Sequence, residues 1–331
     1  MTKKELVLRA LKQEKVERVP VGFWFHFLAD PGTAAPTKKN IQQNIEGHRA
    51  FIEDFRPDFV KLMSDGYFYY PNDAIQQVEA ASDLKKLRSI DETHSWYQGQ
   101  VELIQQQTAQ FVEEIASFYN IFAPATYFKW QLPKGEKQFA ELLQKAPELV
   151  AAALDTIADD LVKLVTRLLT ETTIDGIYLS VQNVQDKTVT KEVYETYIRP
   201  SEWKVLAAAN AAGGQNILHI CGYEGAKNDL RLYQDYPAAA VNWAVGPEGV
   251  SLTEGKVFFN KTVIGGFENT SKGLLYSGKP SEIQQVAENL LIEAGTTGVI
   301  LGADCTVPSD IPIANLESVR QAAKEYTKQN A

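Results

Sequence analysis

The chain has 331 residues, 44% of them hydrophobic and 23% charged, a profile that suits a globular protein with a large core and no need of disulfide staples. Its formal net charge of −9 at pH 7 comes without a lysine or arginine cluster, which argues against nucleic acid and anionic membrane as partners. No apolar run approaches the roughly 18 residues that span a bilayer.

Residues 1–19, "MTKKELVLRALKQEKVERV", read as an amphipathic N-terminal helix without a signal-peptide core or cleavage site. With two cysteines in all, the expected compartment is a reducing cytoplasm. The first β-rich run lies in the 20–28 region, where "VPVGFWFHF" spans residues 19–27 and ends near His26. His48 follows in a predicted helix and is expected at the surface. The second run, 59–64, leads to Asp65. Residues 71–119 are polar and helical, an elaborated connection near the mouth of the fold, with His94 expected exposed within it.

Further apolar runs occupy 120–127, 174–181, 216–221, 239–245, 262–268 and 297–305. Between them lie helical patterns such as "FAELLQKAPELVAAALDTIADDLVKLVTRLLTE". Ser281 and Gly295 are expected to cap the helix "SEIQQVAENLLIEA", and Asn315 the last one. The glycine pairs at 213–214 and 265–266 read as turn or close-packing residues. "YSGKPSEI" lacks the spacing of a phosphate-binding loop. Eight near-continuous apolar strands alternating with helices predict an α/β fold, a (β/α)8 TIM barrel, and the lack of a linker predicts a single domain over 1–331.

Barrel enzymes carry their chemistry at strand C-termini. Here those ends hold His26, Asp65, Tyr127, Asn183, His219 with Cys221, Asn242, Glu268 and Cys305. His219 and Cys221, two apart on one strand, point to the same side. With Cys305 they make a set of one imidazole and two thiols, which suits zinc or another thiophilic metal with a fourth position open. The competing reading makes the cysteines ordinary buried residues and His219 a core histidine.

"LHICG", "NWAVGPEG", "VIGGFENTSKGLLYSGKPSEIQQVAENLLIEAG" and "GADCTVPSDIPIANLESVRQAAKEY" together resemble the uroporphyrinogen decarboxylase superfamily. Within it, a His-x-Cys with a distant Cys resembles the zinc-dependent branch that moves a methyl group from a methylated corrinoid to a thiol of the coenzyme M type. The resemblance places His219, Cys221 and Cys305 on that branch's zinc ligands, one ion per chain. It aligns "SDGYFYYP" with a family segment that makes Asp65 the catalytic candidate, a base for the thiol. His26, Tyr127, Asn183, Asn242 and Glu268 are then expected to line the substrate pocket, with Lys61 of similar standing. Glu268, Asn242, Asp304 and water are the candidates for the open metal position.

Two departures from the decarboxylases stand out. No arginine lies between Arg18 and Arg49, where those enzymes carry arginines that read a polycarboxylate, and Cys305 replaces a histidine. The alternatives are a decarboxylase-type carbon–carbon lyase of tetrapyrrole biosynthesis and a non-catalytic barrel that binds a tetrapyrrole or corrinoid. The chain lacks an Asp-x-His-x-x-Gly cobalamin signature. Under the methyltransferase reading the methylated corrinoid is therefore a loosely bound co-substrate, brought by a corrinoid protein to a small-molecule thiol. Family resemblance also suggests a homodimer.

Overall fold

A computed structural model describes residues 1–29, 36–109, 111, 114–222 and 225–330. Seven strands run in chain order: β1 Phe59–Leu62, β2 Ala116–Phe122, β3 Gly176–Val181, β4 Ile217–Ile220, β5 Ala240–Trp243, β6 Thr262–Phe267 and β7 Val299–Ala303. They form one parallel sheet in that same order, and every strand residue but Gly266 is buried. Burial on both faces is why these strands read as unbroken apolar runs. The helices between them include Ser95–Thr108, Pro147–Glu171, Arg199–Ala211, Leu252–Phe259 and Pro280–Ala294.

The sheet curls until its two edges meet the same three residues. Leu301 of β7 donates its N–H to Pro20 O at 3.0 Å, and Gly22 N–H donates to Leu301 O at 3.1 Å. Asp58, just before β1, donates its N–H to Val21 O at 3.1 Å. The expected strand 20–28 is thus reduced to a single bridge, Val21 with Leu301. Several of its other positions are not available to a ladder. Pro20 has none, Val21 N–H goes to the Asp58 carboxylate at 2.8 Å, and Phe27 N–H goes to Asp65 at 2.7 Å. The architecture is α/β and TIM-barrel-like, built from seven strands and this closing segment.

Several local expectations are corrected. The N-terminal helix covers Lys3–Leu11 rather than 1–19. The stretch 71–119 holds two short 3-10 turns, one long helix and the start of β2; its positions 110, 112 and 113 lie outside the described residues. β2 ends at Phe122, and Pro124 opens the helix Pro124–Gln131, so Tyr127 sits on a helix and not at a strand end. Pro280 likewise sets the start of the helix Pro280–Ala294, with Lys279 and not Ser281 at the cap. Asn315 lies inside the last helix, where its amide donates to the Leu275 and Tyr276 carbonyls at 3.0 and 3.1 Å.

His48 is buried rather than exposed. It shares the inner stripe Asn44, Ile45, His48, Phe51, Phe55 of the helix Lys38–Phe55, and its Nε2 accepts from Met63 N–H at 3.0 Å. Gly265 and Gly266 of β6 take φ of 146° and 112°, and a Cβ on Gly266 would come within 2.7 Å of Leu290. Aromatic rings fill the interior below the strand ends. Trp24 lies 6.3 Å from Phe59 and 5.4 Å from Tyr178, centroid to centroid, and Tyr178 reaches the His219 ring at 5.9 Å. Among the described residues no helix is long and apolar enough to cross a membrane.

Candidate metal centre and cleft

His219 on β4 is 1% exposed, and Cys221 follows one residue past the strand end. The Cys221 N–H donates to Val181 O at 2.8 Å, extending the β3–β4 ladder. Its carbonyl accepts from the side-chain amides of Asn228 at 3.0 Å and Gln182 at 3.3 Å. Cys305 stands two residues beyond β7, its Sγ 3.4 Å from His219 Nε2. The three donor atoms all lie within 4.8 Å of one another.

The tautomer of His219 follows from its neighbour. Asn242 faces His219 across the β4–β5 register, and its Nδ2 donates to Ile264 O at 2.9 Å and Ala303 O at 3.1 Å. That fixes Oδ1 toward His219 Nδ1, 2.5 Å away, so Nδ1 carries the proton and the Nε2 lone pair faces the sulfurs. Asn242 was a candidate for the open metal position; with its amide and carbonyl engaged, it orients the imidazole instead.

The donor set fits zinc. Bonds of about 2.3 Å to sulfur and about 2.1 Å to nitrogen at tetrahedral angles separate ligand atoms by roughly 3.6–3.8 Å, compatible with the 3.4 Å between Cys305 Sγ and His219 Nε2 and with all three donors lying within 4.8 Å. The hydrogen bond with Cys221 holds the Cys305 thiol well below its ordinary value, and His219 and Lys61 add to the effect. Lys61 is itself buried, its Nζ 4.3 Å from the Tyr178 ring centre and 5.4 Å from that of Trp24. Burial pushes it down to about 8, against the pull of Cys305, Cys221 and Asp65.

Cys305 lines a cleft of about 1090 Å³ together with His26, Glu268, Thr270, Asp304 and others. Asp304 is raised to about 7 by burial, with Cys305 and Glu268 adding to the shift against a hydrogen bond from Val245 N–H. Glu268 is exposed and accepts from the Thr270 hydroxyl.

The other expected site residues divide in two. His26 is on the cleft wall, its Nδ1 2.9 Å from Asp65 Oδ1. Asp65 is fully buried; its Oδ2 accepts from Phe27 and Leu28 N–H at 2.7 and 3.3 Å, so it stands behind the cleft wall, with His26 as its side-chain link to it. Tyr127 is buried against Tyr70 and Phe122 and lies outside the cleft lining. Asn183 also lies outside it. Its Oδ1 accepts from Tyr233 OH at 3.0 Å and Asp229 N–H at 3.2 Å, and its N–H donates to Asn228 Oδ1 at 2.8 Å. It therefore braces the Asn228 loop that holds the Cys221 carbonyl. Gln182, Asn228 and Glu248, which accepts from Asn228 Nδ2 at 2.9 Å, are supports that no sequence motif marks.

A family model described as uroporphyrinogen decarboxylase (URO-D) matches residues 70–326. The chain belongs to that family. This family member is also homologous to methyltransferases. It is 24% identical over 226 residues to the methylcobamide:CoM methyltransferase MtbA of Methanosarcina mazei, a match spanning 68% of this chain and 62% of that protein's own length. It is 24% identical over 255 residues to the MtbA of Methanosarcina acetivorans, spanning 75% of this chain and 70% of that one. In overall fold this decarboxylase-family chain is similar to a solved methyltransferase from Methanosarcina mazei, at a TM-score of 0.75 and 17% identity, over 98% of this chain and 99% of that one.

Proposed function

We propose that this member of the uroporphyrinogen decarboxylase family is a zinc-dependent methyltransferase that moves a methyl group from a methylated corrinoid to a thiol. The observation that carries this reading is the convergence of His219, Cys221 and Cys305, the last of them on the wall of a cleft large enough for a small substrate. Relatives named for methylcobamide and CoM support it. The decarboxylase alternative loses support, because the described cleft lining offers no guanidinium to a polycarboxylate.

His219, Cys221 and Cys305 would hold one zinc ion per chain. When bound, zinc supplies Lewis acidity that ionises a thiol near neutral pH and makes it a nucleophile. Asn242 keeps the His219 proton on Nδ1 and the ring aimed at the sulfurs. His26, oriented by Asp65, takes up the thiol proton on the cleft side; Asp65 is a positioning residue. The methyl group then passes to sulfur. The carbon–cobalt bond breaks with its electron pair left on cobalt, and a sulfur lone pair forms the carbon–sulfur bond. The corrinoid arrives on a partner protein.

Elemental analysis of wild type beside Cys221→Ser and Cys305→Ser tests the reading. The expected result is about one zinc per chain in wild type and loss of most of it in both variants. Wild type that folds and takes up no zinc would overturn it.

A further inference from the structure

We infer that the thiol this cleft accepts carries an ammonium group, placed by Asp304 and Glu268, and not an anionic sulfonate or carboxylate tail. The inference rests on the thiol-methyltransferase reading and deepens it.

The charge of the cleft is one-sided. Of the described residues that line it, Asp304 and Glu268 are carboxylates and none is lysine or arginine. The single imidazole of that lining, His26, is tied to Asp65. Asp304 is 3% exposed, one position before Cys305, and its Oδ1 accepts from Val245 N–H at 3.2 Å. Among the described residues no hydrogen bond reaches its Oδ2. That oxygen stays open to the cleft, where a ligand ammonium would be its direct, charge-assisted partner. Glu268 flanks it with one oxygen held by the Thr270 hydroxyl. The whole chain carries −9, so the long-range field also opposes an anion.

Lys61 does not reverse this balance. Its ammonium lies against the faces of Tyr178 and Trp24, and it is not among the residues lining the cleft. It balances the sulfur charge from below and leaves the tail of a substrate facing the acids.

The test is calorimetric titration of zinc-loaded protein with three thiols of equal length: cysteamine, 2-mercaptoethanol and 2-mercaptoethanesulfonate. Cysteamine is expected to bind about tenfold or more tighter than the sulfonate, since like-charge contacts are a strong source of discrimination. In Glu268→Gln and in Asp304→Asn, both of which keep the sulfur and imidazole ligands, the ratio is expected to shrink severalfold. Glu268 is exposed, so its variant folds even if loss of the buried Asp304 carboxylate does not permit folding. Equal or tighter binding of the sulfonate would overturn the inference, with the zinc-thiol reading intact. A cysteamine preference unchanged in the variants would overturn it too, because thiol acidity alone would then explain it. Protein that takes up no zinc, or takes it up and binds none of the three thiols, would overturn the parent reading and this inference together.

Discussion

One amide decides how the candidate metal centre is held. Asn242 has both ends occupied, by His219 on one side and by the carbonyls of Ile264 and Ala303 on the other. Its removal frees the imidazole to rotate and to change tautomer. Asn242→Ala is therefore expected to weaken zinc binding by roughly 10- to 100-fold with the three ligands intact, the usual effect of losing a group that orients a ligand. Chelator competition measures this, and an unchanged affinity would show that the ring is held by other means. The metal candidates were legible because cysteine and histidine are scarce here and all three fell at strand ends. The part played by Asn242 was not, because it depends on which residue of β5 faces His219. The same holds for Asp65, whose link to the cleft is visible only once His26 is seen folded back onto it.

At the scale of elements, the segment that closes the sheet hangs on an ion pair. Arg18 meets Asp58 through both guanidinium nitrogens at 2.6 Å, and the same carboxylate accepts Val21 N–H. Asp58 is wholly buried and Arg18 nearly so. Asp58→Ala leaves a mostly buried guanidinium without its counter-ion and the Val21 N–H without a partner, and is expected to cost about 3 kcal/mol. Urea unfolding checks it; a loss under about 1 kcal/mol, the scale of an exposed pair, would remove the segment's claimed dependence on this pair. Seven strands could be read from apolar runs because a parallel sheet covered on both faces tolerates little else. The closing segment misled, since carboxylates rather than a ladder take its N–H groups. Tyr127 and Ser281 were misplaced by overlooking that Pro124 and Pro280 begin helices. His48 fell on the buried stripe by spacing, and its polarity hid that.

For the molecule as a whole, two buried acids and one buried histidine pull the pH dependence of stability in opposite senses. Glu202 is raised to about 7 by burial, although the Tyr236 and Tyr194 hydroxyls oppose the shift. Its protonated form is favoured in the fold, so its contribution is full below the ordinary value of 4.5 and is lost as pH rises through about 7. His48 is lowered to about 4 by burial, with hydrogen bonding and Asp65 opposing. Its contribution is full above 6.5 and is lost as pH falls through about 4. Asp304, raised to about 7 by burial, acts in the same sense as Glu202, so between these limits the His48 slope cancels only one of the two acids, each shift being worth about 3–4 kcal/mol. Glu202→Gln leaves Asp304 and His48 to offset each other: its stability, followed by denaturant midpoints, should stay nearly flat across that window where wild type falls. Parallel curves for the two proteins would mean that Glu202 is ionised in the fold.

His219 on β4 and Cys305 just beyond the end of β7 stand 86 positions apart in the chain. No fragment that lacks either strand can assemble the donor set. An ion captured there is held by the native state and not by the unfolded chain, so its binding energy adds to the stability of the fold in proportion to the logarithm of free metal. Metal retention is then a gauge of sheet assembly: stripping the ion should lower the melting temperature of the entire protein, and a variant that frays β6 or β7 should shed metal before it unfolds.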